Sequence, residues 1–162
     1  MLNTSMAKAI NNQISDEFNA AYLYLSMSAY CESIGFQGFA KWLRKQSQEE
    51  VEHAMKLIGY MNDQFSRVVL QQIYEPEKTF GSLTDMMEQA LMHEKEISDA
   101  IYKLCEQAEA EEDYTTRAML DWFITEQLEE EKTTGDIVEQ LRIYGETKST
   151  IYLIDQELGQ RE

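Results

Sequence analysis

Apolar residues recur along the chain at spacings of three and four, which is the period of an α-helix with one buried face. Few residues interrupt this pattern, because the 162-residue chain has seven glycines and one proline. The pattern predicts long helices over about 6–33, 39–65 and 82–110, a fourth from the break near Glu112-Asp113 to Gly145, and a short fifth over about 149–158. Asn3-Thr4-Ser5 is expected to cap the first helix, and the pair Gly35 and Gly38 to end it.

The connections between these helices predict the topology. A connection of about 17 residues, holding Pro76 and Gly81, joins the second helix to the third, whereas short turns join the other pairs. Two helical hairpins linked by one long crossover form a four-helix bundle. We therefore expect an all-α fold in a single domain over residues 1–162, with a bundle over about 5–145 and a C-terminal helix over about 148–158.

Each of the four long helices carries polar residues on its apolar face, where charged side chains are unusual. They are Glu17 and Tyr24 in the first helix, Glu50 and His53 in the second, Glu94 in the third, and Gln127 and Glu130 in the fourth. A chance inward glutamate, or a helix rotated slightly from the expected phase, explains any one of these positions equally well.

The spacing of these residues predicts that they meet, because residues equidistant from the turn of an antiparallel hairpin lie level. Glu17 and His53 are each 18 residues from Gly35, and Glu94 and Glu130 are each 18 residues from Glu112. The positions 17, 50 and 53 repeat as 94, 127 and 130, with a constant offset of 77. Agreement of four helices in face and level favours one shared site over coincidence.

The residue types at this site favour a metal. Buried carboxylates need a compensating cation or take up protons, and no Lys or Arg lies on these faces at that level. Glutamate oxygens with one imidazole suit iron or manganese, and no cysteine lies there to complete a closed zinc site. Because residues three apart share a helix face, Glu50 and His53 can bind one ion. A Glu from each of two helices and a Glu-x-x-His predict a dinuclear centre.

The composition of the chain restricts its possible partners and its compartment. The net charge of −16 disfavours nucleic acid, while 43% hydrophobic residues are enough for a folded core. Cys31 and Cys105 form no Cys-x-x-Cys pair, which favours a reducing compartment. The sequence shows neither a signal peptide nor an apolar run of the roughly 20 residues needed to span a bilayer. We expect a cytoplasmic protein with no membrane or nucleic-acid partner.

These residues closely resemble the ferritin family, and within it the non-haem bacterial and archaeal ferritins. The motifs are Glu17 and Tyr24, Gln48-Glu49-Glu50-Val51-Glu52-His53, His93-Glu94-Lys95, and Trp122-Phe123-Ile124-Thr125-Glu126-Gln127-Leu128-Glu129-Glu130. The resemblance covers nearly the whole chain. It implies a 24-subunit hollow cage whose subunits oxidise Fe(II) with dioxygen or peroxide and store the product as a ferric mineral.

The resemblance also implies roles for single residues. Glu17, Glu50 and His53 would hold the first iron, with Glu50 bridging, and Glu94, Gln127 and Glu130 would form the second position. Glu49, Glu126 and Glu129 match the third, cavity-side iron site of the family, although an ordinary solvated helix face is the alternative. Tyr24 would be a hydrogen-bonding or redox-active neighbour, and Trp122 is a lesser candidate for the same role. A plain core aromatic is the alternative for both, and it is the favoured expectation for Trp122.

Differences between this chain and the bacterioferritins indicate which subfamily it resembles. Bacterioferritins carry a second Glu-x-x-His where this chain has Gln127-Leu128-Glu129-Glu130, and a haem-binding Met where it has Val51, so no haem is expected. The apolar fifth helix, which the resemblance places at the four-fold axis of the cage, is otherwise a lid on its own bundle. A storage shell without oxidation at the site, and a plain four-helix interaction module, are the other functional interpretations.

Overall fold

Five helices lie within residues 2–161, which are the residues that the computed structural model describes. They are α1 (Thr4–Ser33), α2 (Gln37–Asp63), α3 (Leu83–Ala110), α4 (Tyr114–Tyr144) and α5 (Lys148–Leu158). α1 packs mainly against α2 and α3 against α4, while α1 also contacts α3 and α5 lies on α2. The described range contains no strand, so the prediction of an all-α four-helix bundle with a short C-terminal helix is confirmed.

Side-chain caps determine where several helices begin. The Asn3 side chain accepts a hydrogen bond from the Met6 backbone N–H at 2.8 Å, as the sequence predicts. Ser82 and Asp85 form a reciprocal capping box at the start of α3. α2 ends at Asp63, two residues before the predicted end at Phe65, because Phe65 adopts a left-handed backbone conformation with φ of 54°.

The prediction that Gly38 helps to end the first helix is wrong. Gly35, with φ of 88°, makes that turn, whereas Gly38 lies in the first turn of α2, where α5 crosses it. A Cβ at Gly38 would lie only 1.6 Å from the backbone oxygen of Asp155. The Asp155 carboxylate also accepts a hydrogen bond from the Phe39 N–H at 2.9 Å. Gly38 therefore permits the close approach of α5.

The crossover, residues 64–82, is irregular and runs along α1. Asn11 accepts a hydrogen bond from the Val69 N–H at 2.7 Å, and Asn19 accepts one from the Tyr74 N–H at 2.8 Å. These two bonds satisfy backbone groups that have no partner in a helix. They hold the crossover against α1.

The hydrophobic core consists of two clusters that are separated along the bundle. One includes Tyr24, Leu43, Ala90 and Ile137, and the other includes Ile14, Leu57, Ile97 and Phe123. In each long helix, the inward glutamate lies between the part that contributes to one cluster and the part that contributes to the other. The predicted site is thus a polar layer enclosed by apolar layers.

Candidate metal centre

The polar layer is almost fully removed from solvent. Its seven members are at most 5% exposed: Glu17, Tyr24, Glu50, His53, Glu94, Gln127 and Glu130. Each lies inward because it occupies the apolar face of its helix, as the helical period predicts. Within residues 2–161, Glu17, Glu50, Glu94 and Glu130 form no ion pair with a Lys or Arg within 4.0 Å, so their charge is not compensated by a basic side chain.

Glu17, Glu50 and His53 lie together, with one ligand-type atom from each within 4.8 Å of the others. His53 Nδ1 is 3.2 Å from Glu50 Oε2 and 3.9 Å from Glu17 Oε2. Gln13 donates a hydrogen bond to the other Glu17 oxygen at 2.9 Å. Glu17 Oε2 and Glu50 Oε1 are buried without a hydrogen-bond partner. Buried oxygens normally have a hydrogen-bond donor, so two carboxylate oxygens without one, next to an imidazole, are suited to bind a cation.

Glu94 has both carboxylate oxygens engaged by neighbouring side chains. The Tyr24 hydroxyl donates to Oε1, and the Gln127 amide donates to Oε2 at 3.1 Å and to the Glu94 backbone oxygen at 3.2 Å. These bonds place Tyr24, Glu94 and Gln127 in one hydrogen-bonded group across three helices. Among residues 2–161, two groups of His and carboxylate side chains lie close enough together to hold a metal ion, and neither includes Glu94.

Glu130, His53 and Glu126 form a second group that could hold a metal ion, with one ligand-type atom from each within 4.8 Å of the others. His53 Nε2 lies 3.7 Å from Glu126 Oε1, so the two imidazole nitrogens face different carboxylates. Glu130 Oε2 accepts a hydrogen bond from Gln46 at 2.6 Å. His53 therefore stands between the Glu17–Glu50 pair on one side and the Glu126–Glu130 pair on the other.

The three residues of the expected third site lie in different surroundings. Glu126 belongs to the His53 group, whereas Glu129 is exposed and lies outside both metal-compatible groups. Glu49 is paired with Arg161 at 2.6 Å. The structure thus brings Glu126 to the centre but leaves Glu129 in solvent.

Comparison with known proteins identifies the family. The family model for the ferritin-like domain matches residues 7–143. The chain belongs to the ferritin family.

Relatives span the full length of the chain. The bacterial non-heme ferritin of Campylobacter jejuni is 40% identical over 156 residues, which are 96% of this chain and 93% of that protein. The bacterial non-heme ferritin of Staphylococcus epidermidis is 34% identical over 161 residues, which are 99% of this chain and 97% of that protein. An open pore ferritin from the hyperthermophilic archaeon Archaeoglobus fulgidus is 40% identical, with a TM-score of 0.99 and 100% of both chains covered.

Burial governs the electrostatics of this ferritin site. Loss of hydration raises the pKa values of Glu17, Glu50 and Glu94, and the nearby Glu50 and Glu94 carboxylates add to the increase at Glu17 and Glu50 respectively. Burial, with a further contribution from Glu94, raises the pKa of Glu130 to about 7. The metal-free layer therefore retains protons at pH values where exposed glutamates are ionised. A cation that binds there replaces protons.

The prediction that Trp122 is a core aromatic is wrong. Trp122 is 37% exposed, because it precedes the buried Phe123 by one residue and so faces away from the core. Its ring contacts His53 edge-on with a centroid distance of 5.5 Å, and Lys56 Nζ lies 4.0 Å from the ring centroid. A surface pocket of about 550 Å³ lined by Trp122, Lys56 and Glu126 reaches His53.

Three residues outside the predicted set contact the site: Gln13, Gln46 and Arg161. Gln13 and Gln46 lie four residues before Glu17 and Glu50, so the same helical period places them on the buried faces and was sufficient to find them. Arg161 follows α5 and has no periodic signal. Within residues 2–161, no helix is long and apolar enough to cross a membrane.

Proposed function

We propose that this chain is an iron-storage ferritin subunit that oxidises Fe(II) and stores the product as a ferric mineral. The observation that carries the proposal is the buried group of Glu17, Glu50 and His53, with two partnerless carboxylate oxygens, beside Glu94 and Glu130. Iron is the substrate here, and the donor set of carboxylate oxygens and one imidazole suits it.

In this proposal Glu17, Glu50 and His53 bind the first Fe(II), and Glu50 bridges to the second position. The contact of His53 Nδ1 with both carboxylates supports a common ligand point for the three side chains. Gln13 holds one oxygen of Glu17 and leaves the other available. The position is supported by neighbouring hydrogen bonds before iron arrives, which lowers the cost of organising it.

Glu94, Gln127 and Glu130 form the second position. Their geometry supports a weaker site, because Tyr24 and Gln127 occupy the Glu94 oxygens and the Gln127 amide must turn to present its own oxygen. An amide also carries no charge to attract the ion. Weak binding lets the ferric product leave for the mineral.

Electron transfer follows from the pairing of the two positions. Two Fe(II) ions each give up one electron, and together they reduce dioxygen to hydrogen peroxide or hydrogen peroxide to water. Each reduction consumes two protons. The carboxyl groups of Glu17, Glu50, Glu94 and Glu130, whose pKa values are raised, release protons when Fe(II) binds.

Glu126 marks the proposed exit toward the third site. It lies beside His53 and lines the same surface pocket, so it is placed to receive iron that leaves the pair of positions. Glu49 and Glu129 complete the third site in this proposal. Glu129 is exposed and has to turn toward Glu126, and Glu49 has to release Arg161.

The oxidation is tested by stopped-flow mixing of the iron-free protein with two Fe(II) per subunit in air. Glu17→Ala and His53→Ala should slow the fast phase by more than about 100-fold, since loss of even an outer neighbour of a metal ligand costs about 10–100-fold. Glu96→Ala is the matched control, because Glu96 is an exposed glutamate on α3. Equal rates in all four proteins would contradict oxidation at this centre and would indicate a shell whose iron is oxidised only on the mineral.

A 24-subunit cage of single ferritin-like domains over residues 1–162 is part of the same proposal. α5 supports it, because Ile154 and Leu158 dock on the chain's own bundle while Tyr152 and Leu153 remain 63% and 67% exposed. Both expectations for α5 thus have support: Ile154 and Leu158 cover the bundle, while Tyr152 and Leu153 form an apolar pair open to solvent. Exposed apolar side chains next to one another are typical of a subunit contact.

A further inference from the structure

Arg161, which follows α5, reaches back to two side chains of α2. Its Nη1 donates to Gln46 Oε1, and its Nη2 contacts Glu49 Oε2 at 2.6 Å. The guanidinium also lies over the Trp42 ring, 5.1 Å from its centroid. Because a guanidinium is a planar fork of donors, the two polar contacts and the neighbouring Trp42 ring restrict its orientation.

Gln46 transmits this contact to the metal centre. It is fully buried, and its Nε2 donates to Glu130 Oε2 at 2.6 Å. An amide has one acceptor end and one donor end, whereas Arg161 has only donors and an ionised Glu130 only acceptors. The reverse orientation of the amide would place donors against the guanidinium and an oxygen against the carboxylate. Arg161 and Glu130 therefore select the same orientation of the Gln46 amide, and Arg161 anchors the end that faces away from Glu130.

We propose that Arg161 is a positioning residue for the second iron position, acting through Gln46 on Glu130. The bond from Gln46 holds one oxygen of Glu130 and leaves the other available to bind metal. This inference rests on the proposed function, since it assigns Glu130 to a metal. It adds a residue that lies outside the four-helix bundle to the set that organises the centre.

The test is an anaerobic titration of the iron-free assembled protein with Co(II), a redox-stable probe whose visible absorption reports each binding event. Arg161→Gln removes the guanidinium that anchors the Gln46 oxygen and leaves the amide held by Glu130 alone, so affinity in the second event should fall about tenfold, the size typical of removing a partner of a metal ligand. The first event should be unchanged, because Glu17, Glu50 and His53 make no contact with Gln46 or Arg161 among the described hydrogen bonds. Arg161→Lys should restore part of the affinity, since one ammonium cannot contact Gln46 and Glu49 as a fork.

Two further variants separate positioning from charge. Arg44→Gln removes the same charge from α2, where Arg44 pairs with the exposed Glu32 at 3.7 Å, and should leave both events unchanged. Gln46→Leu should weaken the second event by itself. In that background, Arg161→Gln should have less than about a twofold further effect, because residues that act through one another are not additive.

The outcomes distinguish the inference from the proposed function. Two unchanged binding events in Arg161→Gln, or additive effects of Arg161→Gln and Gln46→Leu, would overturn the inference while leaving the dinuclear site intact. A lower melting temperature with unchanged Co(II) affinity would also overturn it, by showing a structural role only. Fewer than two Co(II) ions per wild-type subunit would instead contradict the proposed function. If Arg161→Gln does not fold, Arg161→Lys carries the same comparison.

Discussion

The carboxyl groups of Glu17, Glu50, Glu94 and Glu130 are held where water does not reach them, and burial raises the pKa of each. In the unfolded chain the same groups titrate near the ordinary glutamate value. Folding therefore favours their protonated forms. The stability this provides is fully present below the unfolded pKa and is lost as the pH rises through the folded pKa.

We expect the metal-free protein to lose stability between about pH 4.5 and 7. For Glu130 the pKa rises from 4.5 to about 7, which at about 1.4 kcal/mol per pKa unit corresponds to a loss on the order of 3 kcal/mol. Urea unfolding at a series of pH values, in the presence of a chelator, measures this loss. Glu130→Gln should flatten the dependence, and the exposed Glu139→Gln should not. If stability depended on pH identically in Glu130→Gln and in the wild type, the raised pKa of Glu130 would not be the cause of the loss.

The position of most site residues is predictable from the sequence, because the helical period places Glu17, Glu50, Glu94 and Glu130 on apolar faces. The position of Trp122 is not predictable in this way. One residue corresponds to about 100° of helix rotation, so a small error in the helical phase moves a side chain from the core to the surface. The contact of Arg161 was not predictable either. It depends on where α5 lies in space, which no local pattern encodes.

At the scale of elements, the approach of α5 to α2 depends on the missing side chain of Gly38. We expect Gly38→Ala to destabilise the protein by roughly 1–3 kcal/mol or more, because the new Cβ would overlap the Asp155 backbone oxygen and force α5 away. Thermal unfolding measures the loss, and hydrogen exchange in α5 localises it.

Gly59→Ala is the matched control for this substitution. Gly59 also lies within α2, but a Cβ there would meet nothing within 4 Å. Alanine should therefore stabilise the helix by up to about 1 kcal/mol. A similar loss of stability in both variants would show that close packing of α5 is not the cause.

The helices themselves were predicted to within about two residues at their ends. The start of α3 lies within one residue of the prediction, because the Ser82 capping box is visible in the sequence. The starts of α1 and α2 and the end of α2 each differ by two residues. At the end of α2, Phe65 adopts a left-handed conformation that is unusual for its residue type. Gly38 was misassigned because a glycine needed for a close approach looks, in sequence, like a glycine needed for a turn.

At the scale of the whole molecule, the polar layer between two apolar clusters follows from the sequence, whereas assembly does not. Leu153 and Tyr152 are exposed next to one another on α5, and the chain itself offers nothing among the described residues that covers them. The acidic residues behind the net charge of −16 fall into a buried and an exposed set. A buried minority of the acidic residues forms the centre, and most of the rest are on the surface.

The mass and iron content of the assembled particle test the proposed storage function most directly. Light scattering should give about 450 kDa, which is 24 times the chain mass of 18.9 kDa. Aerobic loading should then add iron far beyond three ions per subunit. Leu153→Glu should lower the particle mass by breaking the α5 contact, while Gln156→Glu, which adds the same charge to an exposed position of α5, should not. A monomeric or dimeric wild-type mass, or iron uptake that stops at three ions per subunit, would contradict storage in a cage.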